Sequence, residues 1–145
     1  MATLVFDQEY RIARDTPSDI NEHIEVLKNL AESVEHVTEM GTRTGVSTRA
    51  FLAADVTLRA YDLFLDDYVS QLFELAQKEG KDAKYIGANV LETEIDETDL
   101  LFIDTWHCYD QLFAELTKHA PKSRSILPFM THRLMELEVK SSWVV

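Results

Sequence analysis

The chain has 145 residues, of which 46% are hydrophobic and 28% charged, a composition typical of a globular protein and a length that suits a single domain over residues 1–145. Its formal net charge of −12 opposes contact with phosphate backbones and anionic lipid, so we expect no nucleic-acid and no membrane partner. The only cysteine, Cys108, allows no internal disulfide, and the N-terminal residues lack a signal-peptide pattern, so we expect a cytoplasmic protein.

The first predicted helix lies within residues 16–34. Thr16 and Ser18 are candidate N-caps, and Pro17 suits the first helical turn. The apolar residues of this segment recur at steps of three and four, which is typical of a helix that buries one face. They are Ile20, Ile24, Leu27, Ala31 and Val34.

Strand and helix patterns alternate after this helix. Short strands are predicted in "HVTEM" (36–40), "VTLRAYD" (56–62), "AKYIGANV" (83–90) and "DLLFIDTW" (99–106), and helices in 46–54, 66–80 and 109–120. The inward residues expected of the last two helices are Val69, Leu72, Phe73 and Ala76, followed by a C-capping Gly80, and Leu112, Phe113 and Leu116. This alternation predicts an α/β fold with a doubly wound, mainly parallel sheet.

Polar residues and glycines stand where the predicted strands end. In such sheets ligands bind beyond the carboxyl ends of the strands, near the point where strand order reverses. The residues at these ends are Glu39, Gly41 and Gly45 for the first strand, Asp62 for the second, Asn89 for the third and Asp104 for the fourth. We therefore expect them to surround one ligand site.

The segment from Glu39 to Gly45 has the pattern E-x-G-x-x-x-G, which differs from the phosphate-binding loops G-x-x-x-x-G-K-S/T and G-x-G-x-x-G. Glycines let the backbone approach a ligand closely, while the Glu39 carboxylate would repel a pyrophosphate and attract an ammonium group. Asp62, at the end of the next strand, suits the two hydroxyls of a ribose. Together they predict a nucleoside carrying a cationic amino acid. The structural alternative is an ordinary glycine turn and a helix-capping aspartate.

Three phrases of the chain, "SDINEHIEVL", "HVTEMGTRTGVSTRAFL" and "DLLFIDTWHCYDQLFAELTKHAP", resemble those of class I S-adenosylmethionine-dependent methyltransferases of the small, stand-alone, Rossmann-like type. The resemblance extends over about residues 18–125. It implies that Glu39 holds the methionine amino group of S-adenosylmethionine and that Asp62 binds the ribose. The remaining cofactor residues it implies are Met40, Gly41, Thr42, Gly45 and Ser47 around the methionine, Leu63 beside Asp62, and Asn89 and Val90 at the adenine.

The segment "FIDTWHCYDQL" holds a second candidate site, with Asp104 and His107 as its candidate catalytic residues. Both are suitable metal ligands, and Mg²⁺ or another divalent cation there would hold an acceptor hydroxyl and lower its pKa. Related metal-dependent O-methyltransferases use an aspartate at this strand end, so the resemblance makes Asp104 a candidate metal ligand. Alternatively, His107 is a general base. In a structural interpretation, Asp104 caps the next helix while Trp106 and His107 pack.

The tail, residues 126–145, departs from the family pattern, in which a fifth strand leads to a His-Asp-Thr motif. Met130 is encoded by ATG and Thr131 begins with AC, so one nucleotide earlier the codons give His or Tyr followed by Asp, and His132 then permits Thr. We therefore hypothesise a frameshift near residues 127–129 that shortens the fold, which sequencing of the coding DNA would test. An exposed sheet edge would favour a homo-oligomer.

Three functional hypotheses remain open at this point. The first is a methyltransferase that acts on a small hydroxylated acceptor by in-line displacement, in which the protein mainly positions the reactants. The second is a module that binds S-adenosylmethionine without transferring its methyl group. The third is an enzyme that degrades or rearranges the cofactor itself. The acceptor is not determined by any of these patterns.

Overall fold

The computed structural model describes residues 2–130, 133–134 and 137–138. The helices are α1 Ala2–Asp15, α2 Ile24–Glu32, α3 Val46–Ala53, α4 Asp67–Lys78 and α5 Tyr109–His119. The strands are β1 His36–Met40, β2 Thr57–Asp62, β3 Ala83–Gly87, β4 Thr98–Ile103, β5 Ser123–Met130, β6 Arg133–Leu134 and β7 Leu137–Glu138. Short 3₁₀ helices, Asn21–His23 and Ala120–Lys122, lead into α2 and β5.

The strands form one sheet in the order β3-β2-β1-β4-β5, and every pairing along this path is parallel. The short strands β6 and β7 pair with β5 in the antiparallel direction. Strand order reverses at β1, because β2 and β3 lie on one side of it and β4 and β5 on the other. A reversal of this kind opens a crevice beyond the carboxyl ends of the two central strands. The predicted doubly wound, mainly parallel sheet is confirmed.

Apolar side chains cover both faces of the sheet in two clusters. Neighbouring residues of a strand point to opposite faces, so Phe102 and Ile103 of β4 belong to different clusters. The larger cluster joins the sheet to α1, α2, α3 and α4, and the smaller one joins it to α5 and to the loop between β3 and β4. Phe51 of α3 packs edge-on against Phe102, with 5.6 Å between the ring centroids. Coverage on both faces explains why residues 100–103 of β4 are all apolar.

The N-terminal region differs from the sequence prediction. No helix is predicted before residue 16, yet α1 buries Phe6 and Tyr10 in the larger cluster. Thr16 is not the N-cap of the next helix, because its hydroxyl donates to the carbonyl of Ile12 at 2.6 Å, at the end of α1. Ser18 is not an N-cap either, because the N-caps of the 3₁₀ helix and of α2 are Ile20 and His23, although Ser18 Oγ accepts from the backbone N–H of Asn21 at 2.9 Å. None of the helices in the described part of the chain is long and apolar enough to cross a membrane.

The predicted apolar stripes of α2 and α4 are confirmed, whereas that of α5 is wrong at one residue. The buried residues of α2 and α4 are Ile24, Leu27 and Ala31, and Val69, Leu72, Phe73 and Ala76. In α5, Phe113 is 60% exposed and stacks on Tyr109, while Glu115 and His119 are the buried residues. Residues 112, 115, 116 and 119 share one helical face, and residue 113 points away from it.

A fifth parallel strand, β5, follows α5 and completes the sheet edge beside β4. Its last residues fall within the divergent tail predicted over 126–145, yet Ile126 and Leu127 are buried in the two clusters. The predicted departure from the family pattern depends mainly on residues 131–132, 135–136 and 139–145, which lie outside the described residues. The frameshift therefore stays a hypothesis.

Candidate cofactor site

A cavity of about 640 Å³ lies at the reversal point, beyond the carboxyl ends of the four strands β1 to β4. Each of the four loops that follow these strands contributes to its wall, and one residue comes from α5. The lining residues are Gly41, Arg43, Tyr61, Asp62, Leu63, Phe64, Ala88, Asn89, Val90, Leu91, Asp104, Thr105, Trp106 and Gln111. A cavity that several loops share in this way is where an α/β sheet binds its ligand.

The loop after β1 requires glycine at two positions, for different reasons. Gly41 has φ +89°, and a Cβ there would lie 2.1 Å from the carbonyl oxygen of Asp104. Backbone bonds hold this approach, because Gly41 N donates to Tyr61 O and Asp104 N donates to Met40 O, both at 2.8 Å. Gly45 has φ +85° and would place a Cβ 3.1 Å from Cγ2 of Val69. Gly41 therefore shapes the cavity wall, whereas Gly45 packs the start of α3 against α4.

Glu39 lies beneath this loop rather than on the cavity surface, and its side chain is completely buried. Ser47 Oγ donates to Oε2 at 3.0 Å and Thr48 Oγ1 donates to Oε1 at 2.5 Å, both from the first turn of α3. Burial raises the pKa of Glu39 to about 8, although the two hydroxyl donors act in the opposite direction. A neighbouring cation would favour the ionised form.

Asp62, at the end of β2, joins two loops of the cavity. Its Oδ2 accepts from the backbone N–H groups of Thr42 and Arg43, each at 2.9 Å, and from the Thr42 hydroxyl at 3.2 Å. Its Oδ1 accepts from the backbone N–H of Leu63 at 2.7 Å. The carboxylate thus fixes the glycine loop while it lines the cavity, so the structural and ligand-binding roles considered for it are compatible.

Arg43, Asp104 and His107 form a connected polar cluster at the mouth of the cavity. His107 Nε2 lies 2.9 Å from Asp104 Oδ1 and 3.1 Å from Arg43 Nη2, and Nη2 also lies 3.2 Å from Asp104 Oδ1. Arg43 Nη1 donates to Asp19 at 2.8 Å. Burial raises the pKa of Asp104, while His107 and Arg43 oppose that rise. In this cluster the Asp104 carboxylate and the His107 imidazole contact each other, and the Arg43 guanidinium contacts both.

The wall after β3 consists of a turn rather than of strand, because β3 ends at Gly87. Asn89 Oδ1 accepts from the backbone N–H of Leu91 at 3.0 Å, which closes the turn. The Val90 carbonyl lies 2.6 Å from Nε2 of His119, a buried residue of α5. Asn89 and Val90 thus both line the cavity, and the contact with His119 fixes the position of Val90.

The structure brings about half of the sequence-predicted residues to the cavity wall. Those that line it are Gly41, Asp62, Leu63, Asn89, Val90 and Asp104. Those buried beneath the glycine loop or behind it are Glu39, Met40, Thr42, Gly45 and Ser47. His107 joins the site through Asp104. Two lining residues were not predicted from the sequence. Arg43 is the one charged residue between Gly41 and Gly45, which is a usable signal, whereas Gln111 is brought to the wall only by the packing of α5.

The residues present do not fit a divalent cation. Asp104 and His107 are two donors, and the described residues contain no group of three His, Cys, Asp or Glu side chains placed to hold a metal ion. The Arg43 guanidinium already lies beside the Asp104 oxygen that a cation would need. The metal role predicted for Asp104 therefore gains no support from this geometry.

Several solved structures share this architecture at low sequence identity. The N-terminal domain of EvdMO1, solved with S-adenosylhomocysteine bound, superposes with a TM-score of 0.62 at 12% identity, over 78% of this chain and 49% of that one. A putative caffeoyl-CoA O-methyltransferase from Staphylococcus aureus gives 0.59 at 18% identity, over 88% and 66%. The Pyrococcus abyssi tRNA (uracil-54, C5)-methyltransferase gives 0.54 at 14% identity, over 74% and 28%.

These likenesses establish the fold, and the chain spans about half the length of the EvdMO1 domain and 66% of the Staphylococcus aureus protein. No protein-family model matches the sequence, and no curated protein sequence does so either. The predicted resemblance is confirmed at the level of architecture: every neighbour described above is a methyltransferase or a domain crystallised with the demethylated cofactor.

Proposed function

We propose that this chain, which has the Rossmann-like fold of class I S-adenosylmethionine-dependent methyltransferases, binds S-adenosylmethionine in the cavity beyond β1 and β4 and presents it to a small hydroxylated acceptor. One observation carries the proposal. A buried carboxylate, Glu39, whose pKa is raised to about 8, lies directly under a glycine loop at the reversal point of the sheet. A cation bound on the cavity side of this loop would favour the ionised form of Glu39 from behind the loop, and the methionine ammonium supplies such a cation.

The residues of the cavity match the other parts of the cofactor. Asp62 has an oxygen, Oδ1, with one short bond to Leu63 N, and this oxygen is suited to accept from a ribose hydroxyl. The turn at Asn89 and Val90 offers an apolar wall to the adenine. Arg43 is the one Lys or Arg among the described lining residues, so we assign the methionine carboxylate to its guanidinium.

The chemistry at the cavity mouth would be proton removal and positioning. S-adenosylmethionine, when bound, supplies an electrophilic methyl group. His107 would accept the proton of the acceptor hydroxyl, and Asp104, 2.9 Å from Nε2, would stabilise the resulting imidazolium. Without ligand, the Arg43 guanidinium contacts both Asp104 and His107. A bond to the cofactor carboxylate would move the guanidinium away from these two residues.

A small acceptor is favoured over a nucleic acid by charge. The net charge of −12 disfavours a polyanion, and the one lining cation, Arg43, already contacts Asp19 and Asp104. The fold itself does not decide the matter, because the Pyrococcus abyssi neighbour is named as a tRNA methyltransferase. The exposed rings of Phe64 and Trp106 on the cavity rim offer apolar surface to a small molecule.

A second candidate function is cofactor binding without transfer. It is favoured by the contacts of Asp104, whose Oδ1 is within bonding distance of both Arg43 Nη2 and His107 Nε2 and is therefore already occupied. The two candidate functions predict the same affinity for the cofactor but differ in whether a methylated product forms.

Calorimetric titration with S-adenosylmethionine and S-adenosylhomocysteine tests the proposal. We expect Glu39→Gln and Asp62→Asn each to weaken binding by about 10-fold or more, since each removes a charge-assisted hydrogen bond. Asp104→Asn should leave affinity within about 2-fold, because Asp104 is assigned to the acceptor side. Unchanged affinity in both of the first two variants would reject the cofactor site.

Product analysis separates the two candidate functions. The protein is incubated with S-adenosylmethionine and a panel of small phenols and alcohols, and methylated product and S-adenosylhomocysteine are measured by mass spectrometry. Turnover that is lost in His107→Gln supports transfer. Tight binding with no product from any acceptor supports the binding module.

A further inference from the structure

The segment "SDINEH", residues 18–23, carries part of the family resemblance, yet none of its residues lines the cavity. Its side chains build a tight turn. Ser18 Oγ accepts from the backbone N–H of Asn21 at 2.9 Å, and Asn21 Oδ1 accepts from the backbone N–H of Ser18 at 3.0 Å. Asn21 Nδ2 donates to the carbonyl of Arg14 in α1 at 3.1 Å, and Ile20 is buried in the larger cluster. The 18–23 turn is therefore fixed to α1 and to the core.

Asp19 of this turn contacts the polar cluster at the cavity mouth. Arg43 Nη1 donates to Asp19 Oδ2 at 2.8 Å, whereas Arg43 Nη2 lies 3.2 Å from Asp104 Oδ1 and 3.1 Å from His107 Nε2. The two carboxylates thus use different nitrogens of one guanidinium. Asp19 fixes one end of the guanidinium and leaves Nη2 to the groups at the cavity mouth.

The backbone of Arg43 also depends on its surroundings. Among the non-glycine residues that the structure describes, Arg43 is the only one with a positive φ, +47°. Side chains rarely adopt this conformation, which persists where neighbouring groups fix it and which is found at ligand sites. The backbone N–H of Arg43 donates to Asp62 Oδ2 at 2.9 Å, and its side chain donates to Asp19. Two carboxylates from different segments therefore fix Arg43 at both ends.

His23 reaches the same cluster by a second route, through Phe129 of β5. The rings of His23 and Phe129 pack edge-on, with 5.6 Å between their centroids and 61° between their planes. The rings of His107 and Phe129 do so at 5.6 Å and 76°. Such edge-to-face contacts are a preferred arrangement of aromatic rings, and Phe129 is only 1% exposed. The buried Phe129 ring thus contacts both imidazoles.

We propose that the 18–23 turn is part of the functional site, in which Asp19 positions Arg43 for the cofactor carboxylate and His23 positions the His107 ring through Phe129. This inference rests on the proposed function, from which the roles of Arg43 and His107 are taken. Asp19 and His23 are positioning residues, because each acts through another side chain. An arginine that is already held in place loses less freedom when it binds a ligand, which favours binding.

The binding experiment titrates the full chain with S-adenosylhomocysteine and with 5′-methylthioadenosine, which lacks the carboxylate. We expect Asp19→Ala to weaken S-adenosylhomocysteine by about 5-fold, because the unanchored guanidinium has to be ordered on binding, and to change 5′-methylthioadenosine by less than about 2-fold. Asp19→Asn keeps an acceptor for Nη1 and should stay within about 2-fold for both ligands. Asp15→Ala, which removes an exposed carboxylate that contacts Arg14, is the control and should affect neither ligand.

A double variant tests whether Asp19 acts through Arg43. In the Arg43→Gln background, Asp19→Ala should cause no further loss of S-adenosylhomocysteine affinity, because the residue that Asp19 positions has already been removed. A further loss as large as in wild type would overturn the role of Asp19. Unchanged S-adenosylhomocysteine affinity in Asp19→Ala, or equal losses for the two ligands, would overturn it as well.

NMR of histidine-labelled protein without ligand tests the role of His23. The His107 signals are assigned by their absence in His107→Gln. We expect His23→Ala to shift them, and His23→Phe, which keeps a ring against Phe129, to leave them close to wild type. Leu72→Ala, a core substitution in α4, is the control for general loss of stability and should leave them unchanged.

Unchanged His107 signals in His23→Ala, or equal shifts in His23→Ala and His23→Phe, would overturn the role of His23. Should His23→Ala fail to fold, His23→Leu, which fills the space without an aromatic ring, replaces it in the same comparison. Failure of wild type to bind either ligand would instead reject the proposed function, whereas the NMR result on His23 would stand independently.

Discussion

At the scale of single residues, two charged groups acquire their properties from what surrounds them. Glu39 is buried under the glycine loop with only two hydroxyl donors, so its acid form is favoured near neutral pH. The Arg43 guanidinium contacts the carboxylates of Asp19 and Asp104, and the backbone N–H of Arg43 donates to Asp62. Under the proposed function, Glu39 would respond to the ammonium of a zwitterionic ligand and Arg43 to its carboxylate.

We expect the cofactor-free protein to lose stability as the pH rises from about 5 to 8. The folded state keeps a proton on Glu39 up to a pKa of about 8, whereas the unfolded chain releases it near the ordinary value of 4.5. Protonation therefore stabilises the folded state fully below the lower value, and this contribution is lost as the pH approaches the upper one. Urea unfolding at several pH values measures the slope, which Glu39→Gln should flatten by up to about 1.4 kcal/mol per pH unit.

Saturating S-adenosylhomocysteine is the control for this effect. An ammonium group beside Glu39 favours the carboxylate, so the ligand should make the pH slope of wild type resemble that of Glu39→Gln. A slope that is identical in the two proteins without ligand would contradict the protonated state of Glu39.

Replacement of Arg43 should affect ligands according to their carboxylate. We expect Arg43→Gln to weaken S-adenosylhomocysteine by about 10-fold or more, because a charge-assisted bond is lost. Binding of 5′-methylthioadenosine, which lacks the carboxylate, should change by less than about 2-fold. Calorimetry with both ligands measures the difference. Arg124→Gln removes the same charge from an 86% exposed site on β5 and should affect neither ligand, while equal losses for both ligands in Arg43→Gln would contradict the assignment.

At the scale of elements, the loop between β1 and α3 shows that the contacts with neighbouring elements determine the role of each glycine in a short sequence pattern. Gly41 and Gly45 look equivalent in the sequence, yet one approaches the backbone after β4 and the other approaches side chains of α4. α5 provides the opposite case: its apolar pattern predicted Phe113 as a core residue, and the sheet instead receives the face that carries Glu115 and His119.

Substitution of Gly41 by alanine should be far more harmful than the same change at Gly80. Both glycines have positive φ, so each alanine costs about 1 kcal/mol in backbone strain. At Gly41 the added Cβ would also lie 2.1 Å from the Asp104 carbonyl oxygen, whereas at Gly80 nothing lies within 4 Å. We expect Gly41→Ala to be less stable than Gly80→Ala by about 2 kcal/mol or more in urea unfolding. Similar stabilities would show that the loop relaxes freely.

At the scale of the whole molecule, charge and topology act independently. The parallel sheet with its reversal at β1 places the cavity, whereas the net charge of −12 is the basis on which we expect a small acceptor rather than a polyanion. The predicted homo-oligomer and the cytoplasmic location stay predictions, since both depend on surroundings of the chain rather than on its fold.

We expect no measurable binding of tRNA or duplex DNA at about 0.15 M salt, because a net charge of −12 offers no counterion release. Fluorescence anisotropy with labelled tRNA measures this, with a basic RNA-binding protein as the assay control. Binding whose affinity falls steeply with salt concentration would contradict the proposal of a small acceptor and would favour a nucleic-acid substrate.

The sequence by itself determined the alternation of strands and helices, the apolar faces of α2 and α4, and the position of polar residues at the strand ends. These follow from periodicity and from local conformational preferences, which neighbouring residues along the chain decide. The E-x-G-x-x-x-G pattern with Asp62 at the end of the next strand predicted where the cavity lies, while the class of its ligand stays a prediction.

Only the tertiary structure decided which of these residues face the cavity and which lie behind it. Glu39 is buried under the loop, Arg43 reaches Asp104 and His107 some sixty positions later, and Glu115 and His119 hold opposite walls from one helix. These contacts join segments distant in sequence, so no local pattern encodes them. Burial, which sets the protonation of Glu39, Glu115 and His119, is likewise a property of the packed molecule and not of the residue.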